Sequence, residues 1–316
     1  MKPHIAVVGS INMDLVFQTP RMPLPGETLM GHRFHLVHGG KGANQAVAAA
    51  RMGASVSMIA CVGDDANGHS CFQALQADAI DTAHVRVVPD CATGVAGILL
   101  DDAGQNSIVL ATGANARLVE SDIDAARSTI AQAKLLLCQL ETPLSTVLHA
   151  IQSAKQVSAA AQEAGQEPVK VVLNPAPAQK LDAQVLKQVD YLVVNETEAS
   201  LLSDVSVTDL PSAQAAATVL QQLGAGVVIV TLGAMGIWVA DADQAYSLPA
   251  FQVKVVDTTA AGDTFVGSLA VAIAEGMDLR AACMFAQSAA ALAVTQLGAQ
   301  TSIPYRGAVE RQLQSL

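Results

Sequence analysis

Residues 257–265 contain the residue types that phosphate chemistry requires. Their sequence is Asp-Thr-Thr-Ala-Ala-Gly-Asp-Thr-Phe, between an apolar stretch at 251–256 and an Ala-rich stretch. We interpret the two flanks as a strand and a helix. A helix N-terminus carries unpaired backbone N–H groups and a partial positive charge. The segment therefore predicts a binding site for a transferring phosphate.

Small residues precede an acid in this segment. Ala260, Ala261 and Gly262 would let an anion approach the backbone closely, and Asp263 would be placed to take a proton from a substrate hydroxyl. An ordinary helix that begins at an N-cap Asp also explains the pattern. The segment alone leaves both interpretations open.

A glycine-rich stretch, 39–44, precedes another predicted helix. Its sequence, Gly-Gly-Lys-Gly-Ala-Asn, lacks the spacing of a Walker A loop. The glycines could simply form a tight turn. Alternatively, they would let a small polyol lie against the backbone, with Lys41 and Asn44 bonding its hydroxyls.

Polar residues also follow three predicted strands, at the sheet edge where open α/β folds bind ligands. Asn12 and Asp14 follow the first strand and are candidates for hydroxyl recognition, although such residues are common in loops. Asn195 and Glu198 would share one helical face and could hold water around Mg²⁺, or form a capping box. Residues 231–236 could wrap nucleotide phosphates or form a hairpin turn.

The elements that must position these residues alternate along the chain. Short apolar runs, such as 4–8, 170–173 and 227–232, are followed by Ala-rich amphipathic segments. This alternation predicts βαβ units and a mostly parallel sheet with helices on both faces. Residues 15–38 and 93–111 instead alternate apolar and polar side chains. They predict antiparallel strands outside the main sheet, as a lid, a dimer surface or both.

Composition excludes several classes of protein. The net charge of -11 disfavours nucleic acids and anionic membranes as partners. The chain has no apolar run of membrane-spanning length. Five cysteines are dispersed without a CxxC pair, which is typical of reduced thiols. We therefore expect a cytoplasmic protein.

Taken together, these segments resemble the ribokinase (PfkB-type) family of carbohydrate kinases. The resemblance runs nearly from end to end and is specific because the motifs keep their order. They are GSINMD at Gly9, PGET at Pro25, GGKGANQAVAA at Gly39, NPAPA at Asn174, NETE at Asn195, DTTAAGDTF at Asp257 and ALAVTQLGAQTSIP near the C-terminus.

The resemblance implies a fold and a site. The fold would be a three-layer α/β domain spanning residues 1–316, with lid strands inserted at about 15–38 and 93–111. Asp263 would be the catalytic base, and the N–H groups beside it would form an anion hole. The sugar hydroxyls would contact Asn12, Asp14, Gly40, Lys41, Asn44 and Glu141.

The resemblance also implies nucleotide and metal sites. ATP would lie near Gln287, and Glu198 would organise Mg²⁺ through water. The remaining ATP contacts would be Asn195, Thr231, Leu232, Gly233, Ala234, Met235, Gly236 and Gly262. A ring of residues would hold K⁺, mainly through backbone carbonyls: Asp257, Thr259, Ala293, Gln296, Gly298 and Ser302.

The implied reaction is ATP-dependent phosphorylation of D-ribose at O5, by a homodimer paired through its lid. Deoxyribose, fructose and adenosine are alternative substrates. A non-catalytic sugar-binding regulator is an alternative of another class. A dinucleotide oxidoreductase is disfavoured, because this chain lacks the glycine fingerprint of such enzymes after its first strand. Val266 departs from the family, which usually has Asn there.

Overall fold

The computed structural model describes residues 2–163, 165 and 167–315. Within them the strands are β1 His4–Val8, β2 Asn12–Thr19, β3 Arg33–Gly39, β4 Ser55–Gly63, β5 Asp81–Val88, β6 Gly94–Asp101, β7 Asn106–Ala111, β8 Leu135–Cys138, β9 Lys170–Leu173, β10 Tyr191–Asn195, β11 Val227–Thr231, β12 Ile237–Ala240 and β13 Ala245–Leu248. The α-helices are α1 Lys41–Arg51, α2 Ala66–Ala77, α3 Glu120–Ala125, α4 Arg127–Gln132, α5 Leu144–Glu163, α6 Ala183–Leu186, α7 Glu196–Ser203, α8 Leu210–Gln222, α9 Ala261–Ala274, α10 Leu279–Ala293 and α11 Arg306–Gln314.

Nine of the described strands form one sheet in the order β13-β12-β11-β10-β9-β8-β1-β4-β5. Neighbouring strands from β11 to β5 are parallel, and β12 and β13 add antiparallel pairs at one edge. Parallel strands need crossover helices, which cover the sheet. The predicted α/β architecture with a mostly parallel sheet is confirmed.

Both faces of this sheet are buried. Ile5 and Val7 of β1 belong to one hydrophobic cluster, whereas Ala6 and Val8 belong to another. Successive side chains of a strand point to opposite faces, so one strand contributes to two cores. The central sheet is therefore a rigid platform whose strand ends position the loops.

Two helices that carry predicted site residues lie against each other. In α9, every residue from Asp263 to Ala274 is buried, and α9 packs on α1. A methyl group at Gly267 would lie 2.5 Å from the Gln45 carbonyl oxygen, so only glycine permits this approach. The approach brings the first turn of α9 next to the first turns of α1.

The predicted lid is a separate four-stranded sheet, in the order β3-β2-β6-β7. The pairs β2–β3 and β6–β7 are antiparallel as expected, but β2 and β6 in the middle are parallel. The lid also begins earlier than predicted, at Asn12. That residues 1–316 form a single domain stays a prediction.

The strand predicted at 251–256 is wrong. These residues form no strand, and the Val255 and Val256 side chains are 58% and 55% exposed. An apolar run becomes a strand only where a neighbouring backbone pairs with it, and within the described chain β13 is the last strand at this edge of the sheet. The run has another role, because four of its residues line a cavity described below.

No helix in the described part of the chain combines the length and apolar character needed to span a membrane. One of the Ala-rich segments of the strand–helix alternation forms α5, whose 20 residues are Leu144–Glu163.

Candidate active site

The first turn of α9 presents free backbone donors. Ala260, just before the helix, has a left-handed conformation with φ of 58°. Within the described chain, the N–H groups of Gly262 and Asp263 have no hydrogen-bond acceptor. A left-handed backbone is unusual for alanine and marks a point of local strain. The helix start therefore has the donors that an anion site requires.

The Asp263 carboxylate is held by two amide groups of α1. Asn44 Nδ2 donates to Asp263 Oδ2 at 2.9 Å, and Gln45 Nε2 donates to Asp263 Oδ1 at 3.0 Å. Asp263 is the third residue of α9 and makes no capping bond, so the alternative of an ordinary N-cap Asp is wrong. The carboxylate is only 8% exposed, and its orientation is fixed by α1.

Gln45 is a site residue that the sequence analysis missed. Besides Asp263, its Nε2 donates to Asn174 Oδ1 at 3.1 Å, and its Oε1 accepts from Gln139 Nε2 at 2.6 Å. Its place in the glycine-rich motif, directly after Asn44, was the available signal. Its partners are far apart in sequence, so their contact was not predictable from local pattern.

Glu141 accepts hydrogen bonds from two other segments of the chain. Its Oε2 accepts from Ser10 Oγ at 2.6 Å, Lys41 N at 3.1 Å and Asn12 Nδ2 at 3.5 Å. Asn12 Oδ1 in turn accepts from Asn115 Nδ2 at 2.7 Å. The structure thus brings Asn12, Lys41 and Glu141 together. It adds Ser10, which lies inside the GSINMD motif but was not singled out, and Asn115, which carried no sequence signal.

Asp14 is a buried carboxylate beside the same group. Its oxygens lie where a side chain of residue 39 would be, 2.3 Å from a methyl group built there, so Gly39 is required. Within the described chain it accepts no hydrogen bond from a side chain or backbone N–H. Burial, and then the charges of Glu141 and Asp263, raise the pKa of Asp14 to about 7.

Lys41 is the cation among these acids. Burial acts to lower its pKa, but the carboxylates of Asp263, Glu141, Glu198 and Asp14 outweigh it and raise the pKa overall. Lys41 therefore stays charged at neutral pH. Within the described chain its ammonium forms no ion pair within 4 Å, so it remains free to meet an anion.

Two cavities meet at the start of α9. The charged cavity, about 250 Å³, is lined by Lys41, Glu198 and Asp263 together with smaller and uncharged residues that include Asn195, Ala260 and Val266. The apolar cavity, about 420 Å³, has no charged residue among its described lining residues. Both are lined by Thr231, Thr258, Ala261 and Gly262.

The apolar cavity receives most of the predicted nucleotide residues. Gln287 lines it, and Gln287 Nε2 donates to the carbonyl of Pro249 at 3.2 Å. Leu232 is buried in the core, and Met235 points elsewhere, so neither side chain lines the cavity. The predicted residues that do line it are Thr231, Gly233, Ala234, Gly236, Gly262 and Gln287. The residues that sequence reasoning missed are Ile237, Ala250, Phe251, Gln252, Val253, Val255, Thr258, Phe265, Ala290, Ala291 and Val294.

Residues 231–236 form a hairpin connection. Strands β11 and β12 are antiparallel, with Thr231 opposite Ile237. A methyl group at Gly236 would lie 2.0 Å from the Leu248 carbonyl oxygen, and its φ of 95° also requires glycine. The turn and the ligand interpretations are compatible here, because the same turn lines the apolar cavity.

Asn195 and Glu198 form the capping box of α7. Asn195 Oδ1 accepts from Glu198 N at 2.8 Å, and Glu198 Oε2 accepts from Asn195 N at 3.0 Å. Both residues also line the charged cavity. Burial raises the pKa of Glu198. Capping and ligand binding are therefore not alternatives at this position.

The residues predicted to ring K⁺ lie in two loops, except Ala293, which is the last residue of α10. Asp257 Oδ2 accepts from Gly298 N at 2.9 Å, and Asp257 Oδ1 accepts from Thr259 N at 2.9 Å. Gln296 N donates to the Ala293 carbonyl at 3.0 Å, and Ser302 N donates to the Ala299 carbonyl at 3.1 Å. None of the ring residues lines either cavity.

Comparison with known proteins agrees with this geometry. The model of the "pfkB family carbohydrate kinase" matches residues 2–306. The chain belongs to this family. It is therefore a carbohydrate kinase, a phosphotransferase.

Individual relatives span almost the whole chain. A ribokinase of Haemophilus influenzae is 45% identical over 97% of this chain and 97% of its own length. A deoxyribokinase of Salmonella typhi is 40% identical over 95% of each chain. The structure of Arabidopsis thaliana ribokinase complexed with ribose and ATP has a TM-score of 0.88, with 30% identity and 99% of each chain covered. The chain thus has the ribokinase-like α/β fold.

Proposed function

We propose that this chain transfers the γ-phosphoryl group of ATP to O5 of D-ribose, giving D-ribose 5-phosphate and ADP. One observation carries the proposal. The two cavities meet at the free N–H groups of α9, and the oriented Asp263 carboxylate lies at that junction. The similarity to ribokinases over the whole chain supports ribose as the acceptor.

The proposed reaction uses Asp263 as a general base. Its carboxylate accepts the proton of the ribose O5 hydroxyl, and O5 forms the new bond to the γ-phosphorus. The bond from that phosphorus to the bridging oxygen breaks, and ADP leaves with its electron pair. Gly262 and Asp263 N–H groups would stabilise the charge that develops, because phosphoryl transfer depends mainly on positioning and electrostatics.

The sugar is proposed to lie among the acids beside Lys41. Asn12, Asp14, Gly40, Asn44 and Glu141 would bind its hydroxyls. Asn44 Oδ1 is buried and accepts no hydrogen bond within the described chain, so a hydroxyl donor there would satisfy it. Asp14, which also lacks a donor, is suited to a second hydroxyl.

ATP is proposed to occupy the apolar cavity. The volume and apolar walls of this cavity suit the flat base of the nucleotide, and the turn at 231–236 would lie near the phosphates. Leu232 and Met235 would contribute backbone rather than side chain. Asn195, from the charged cavity, would reach the phosphates from the other side.

The donor set around Glu198 fits Mg²⁺ bound through water. Both Glu198 oxygens already accept hydrogen bonds from Asn195, at 3.0 Å each, which leaves little capacity for direct coordination. No cluster of three acidic, His or Cys side chains in the described chain could cage a metal. Mg²⁺ commonly keeps its waters and binds substrate phosphates, whose charge it neutralises when bound.

The loops around Asp257 fit a K⁺ ion. Both Asp257 oxygens are oriented by donors of the chain, so backbone carbonyls would supply most ligands. We propose Asp257, Thr259, Ala293, Gln296, Gly298 and Ser302 as the ring. A bound cation would add positive charge behind the anion hole. The test compares activity and melting temperature in KCl with those in choline chloride, and both should be higher in KCl. Equal values in the two salts would refute the K⁺ site.

The lid is proposed to pair two copies of the chain. Phe17, Phe34, Leu36 and Val109 share one face of the lid sheet by the strand register and are between 42% and 75% exposed. An exposed apolar face of this kind is typical of an interface. Light scattering at micromolar concentration should give a dimer mass, and a monomer would contradict the proposal.

We also propose that the reaction occurs in the cytoplasm. All five cysteines are free thiols, which suits a reducing compartment. Fractionation of cells that express the chain would test this, and recovery outside the cytosol would contradict it.

A substrate panel tests the proposed function. ADP release is measured with ribose, deoxyribose, fructose and adenosine, and we expect the highest kcat/KM with ribose. Deoxyribose is the second candidate, because apolar Val266 lines the charged cavity, and an apolar contact does not penalise a missing hydroxyl. Val266→Asn should then shift preference toward ribose. No ADP release with any sugar would refute the kinase proposal.

A further inference from the structure

Arg51, in the last turn of α1, holds a distant loop. Its Nη1 donates to the carbonyl oxygens of Gln300 at 2.6 Å and Ile303 at 2.8 Å. Its Nε and Nη2 donate to the two oxygens of Asp78, each at 2.9 Å. The guanidinium also lies 5.0 Å from the Tyr305 ring centre. A single half-buried side chain thus fixes residues 300–305 against α1.

The held loop is joined to the start of α9. Gly298, two residues before Gln300, donates its N–H to Asp257 Oδ2. The other oxygen of Asp257 accepts from both Thr259 N at 2.9 Å and Thr259 Oγ1 at 2.6 Å. Thr259 is followed by Ala260, whose left-handed backbone turns the chain into α9. These contacts form an unbroken series from Arg51 to the anion hole.

A second connection comes from α1 itself. Asn44 and Gln45, near the start of α1, orient Asp263, whereas Arg51 at its end holds the loop. A rigid helix therefore links the base to the loop that supports the anion hole. Strained backbone such as that at Ala260 persists only when its surroundings hold it.

We propose that Arg51 is a positioning residue for phosphoryl transfer, acting through the loop 298–303 and Asp257 on the anion hole. The inference rests on the proposed function of that hole. Lysine cannot replace the guanidinium, because one ammonium cannot make the paired bonds to Asp78 and also bond two carbonyls. Loss of these bonds releases the loop while leaving substrate contacts in place.

The experiment compares Arg51→Lys with a matched control, Arg86→Lys. Arg86 also bonds both oxygens of an aspartate, Asp122, at 2.7 and 2.8 Å, and a backbone carbonyl, that of Arg117. It lies on β5 opposite Cys61, whose hydrophobic cluster is on the other face of the sheet from the cluster that contains α9. Each variant is assayed for kcat and both KM values, and by hydrogen exchange of peptides covering 257–262 and 296–303.

We expect Arg51→Lys to lower kcat about tenfold or more, because small misplacements of catalytic groups are costly. The KM for ribose should stay within about twofold, and exchange should quicken in both peptides. Arg86→Lys should change neither kcat nor the hydrogen exchange of these two peptides. Unchanged exchange at 257–262, or an equal loss of kcat in Arg86→Lys, would overturn the proposal.

A second variant keeps the proposal testable if Arg51→Lys does not fold. Asp78→Asn keeps Arg51 and its packing but removes one charge, so it should show the same pattern at smaller size. Wild-type kcat with faster exchange at 296–303 would overturn the proposal. If the wild type phosphorylates no sugar, the proposed function fails, while the exchange comparison still decides whether Arg51 controls residues 257–262.

Discussion

The charged and apolar cavities differ in how the chain specifies them. In the charged cavity, function depends on side chains that distant segments bring together, such as Lys41, Glu198 and Asp263. In the apolar cavity, turns and small or apolar residues define a shape, and the described lining residues carry no charge. The charged cavity is defined by its functional groups, and the apolar cavity is defined by its shape.

This difference predicts separate consequences of mutation. Changing a group in the charged cavity should remove a chemical step and leave the fold intact. Changing size at the apolar cavity should obstruct the ligand without removing any group. Three substitutions test this contrast, at the charged cavity, at the shared boundary and among the buried acids.

Asp263→Asn should have the largest effect. The amide keeps the shape of the carboxylate but cannot accept the O5 proton, so kcat should fall by at least about 10²–10³, as for loss of other transition-state groups. Ribose binding by calorimetry should persist, since the other hydroxyl contacts remain. A folded variant with near-normal turnover would remove Asp263 from the role of base.

Gly262→Ala should have a smaller effect and a different character. A methyl group there meets no protein atom within 4 Å, so the fold accepts it, but it enters the space shared by both cavities. We expect kcat to fall about tenfold while stability is unchanged or slightly raised.

The control for this substitution is Gly307→Ala. Residue 307 lies in α11, and a methyl group there meets only Arg311 Nη1, at 3.5 Å. It should gain the same helical stability without any loss of turnover. If both variants lose turnover equally, the shared boundary is not where phosphate passes.

Asp14→Asn should have the smallest effect on activity. It should lower activity but raise stability at neutral to alkaline pH. The pKa of Asp14 rises from an ordinary 3.8 to about 7, mainly through burial. Between these values the folded state holds a proton that the unfolded state has released, so the free energy of unfolding falls as pH rises. Its stabilising contribution is present below about pH 4 and lost above about pH 7.

The measurement is melting temperature and ribose KM from about pH 5 to pH 8. Near pH 8 the Asn variant should melt a few degrees above the wild type, yet its KM should be several-fold higher. Wild-type KM should rise below about pH 7, where the carboxyl becomes protonated, and the variant should lack that rise. A variant less stable than wild type at pH 8 would contradict the burial argument.

Much of the charged cavity was predictable from sequence. Asp263, Lys41 and Glu198 each stand at the start of a helix that follows an apolar or glycine-rich run, which is a local signal. Gln45 and Ser10 were missed because their importance depends on partners that are at least 94 residues away, Gln139 and Glu141. Local pattern contains no information about such contacts.

The apolar cavity was less predictable, and residues 251–256 show why. Their alternation is the same pattern that indicates a strand. In the structure Phe251, Val253 and Val255 line the cavity instead of joining the sheet. Apolar periodicity reports that side chains avoid water, but it does not distinguish a sheet neighbour from a ligand. The fold itself was predictable because the strand–helix alternation repeats along the whole chain.

Strand β2 belongs to the lid, and its first residues belong to the site. Asn12 bonds Glu141, and Asp14 lies two residues further along the same strand. In the proposed sugar site, the orientation of the lid and the affinity for sugar would therefore be thermodynamically linked. If bound sugar stabilises one position of the lid by a given free energy, that lid position strengthens sugar binding by the same free energy. A contact on the outer face of the lid that favours one lid position would then change sugar affinity without touching the sugar.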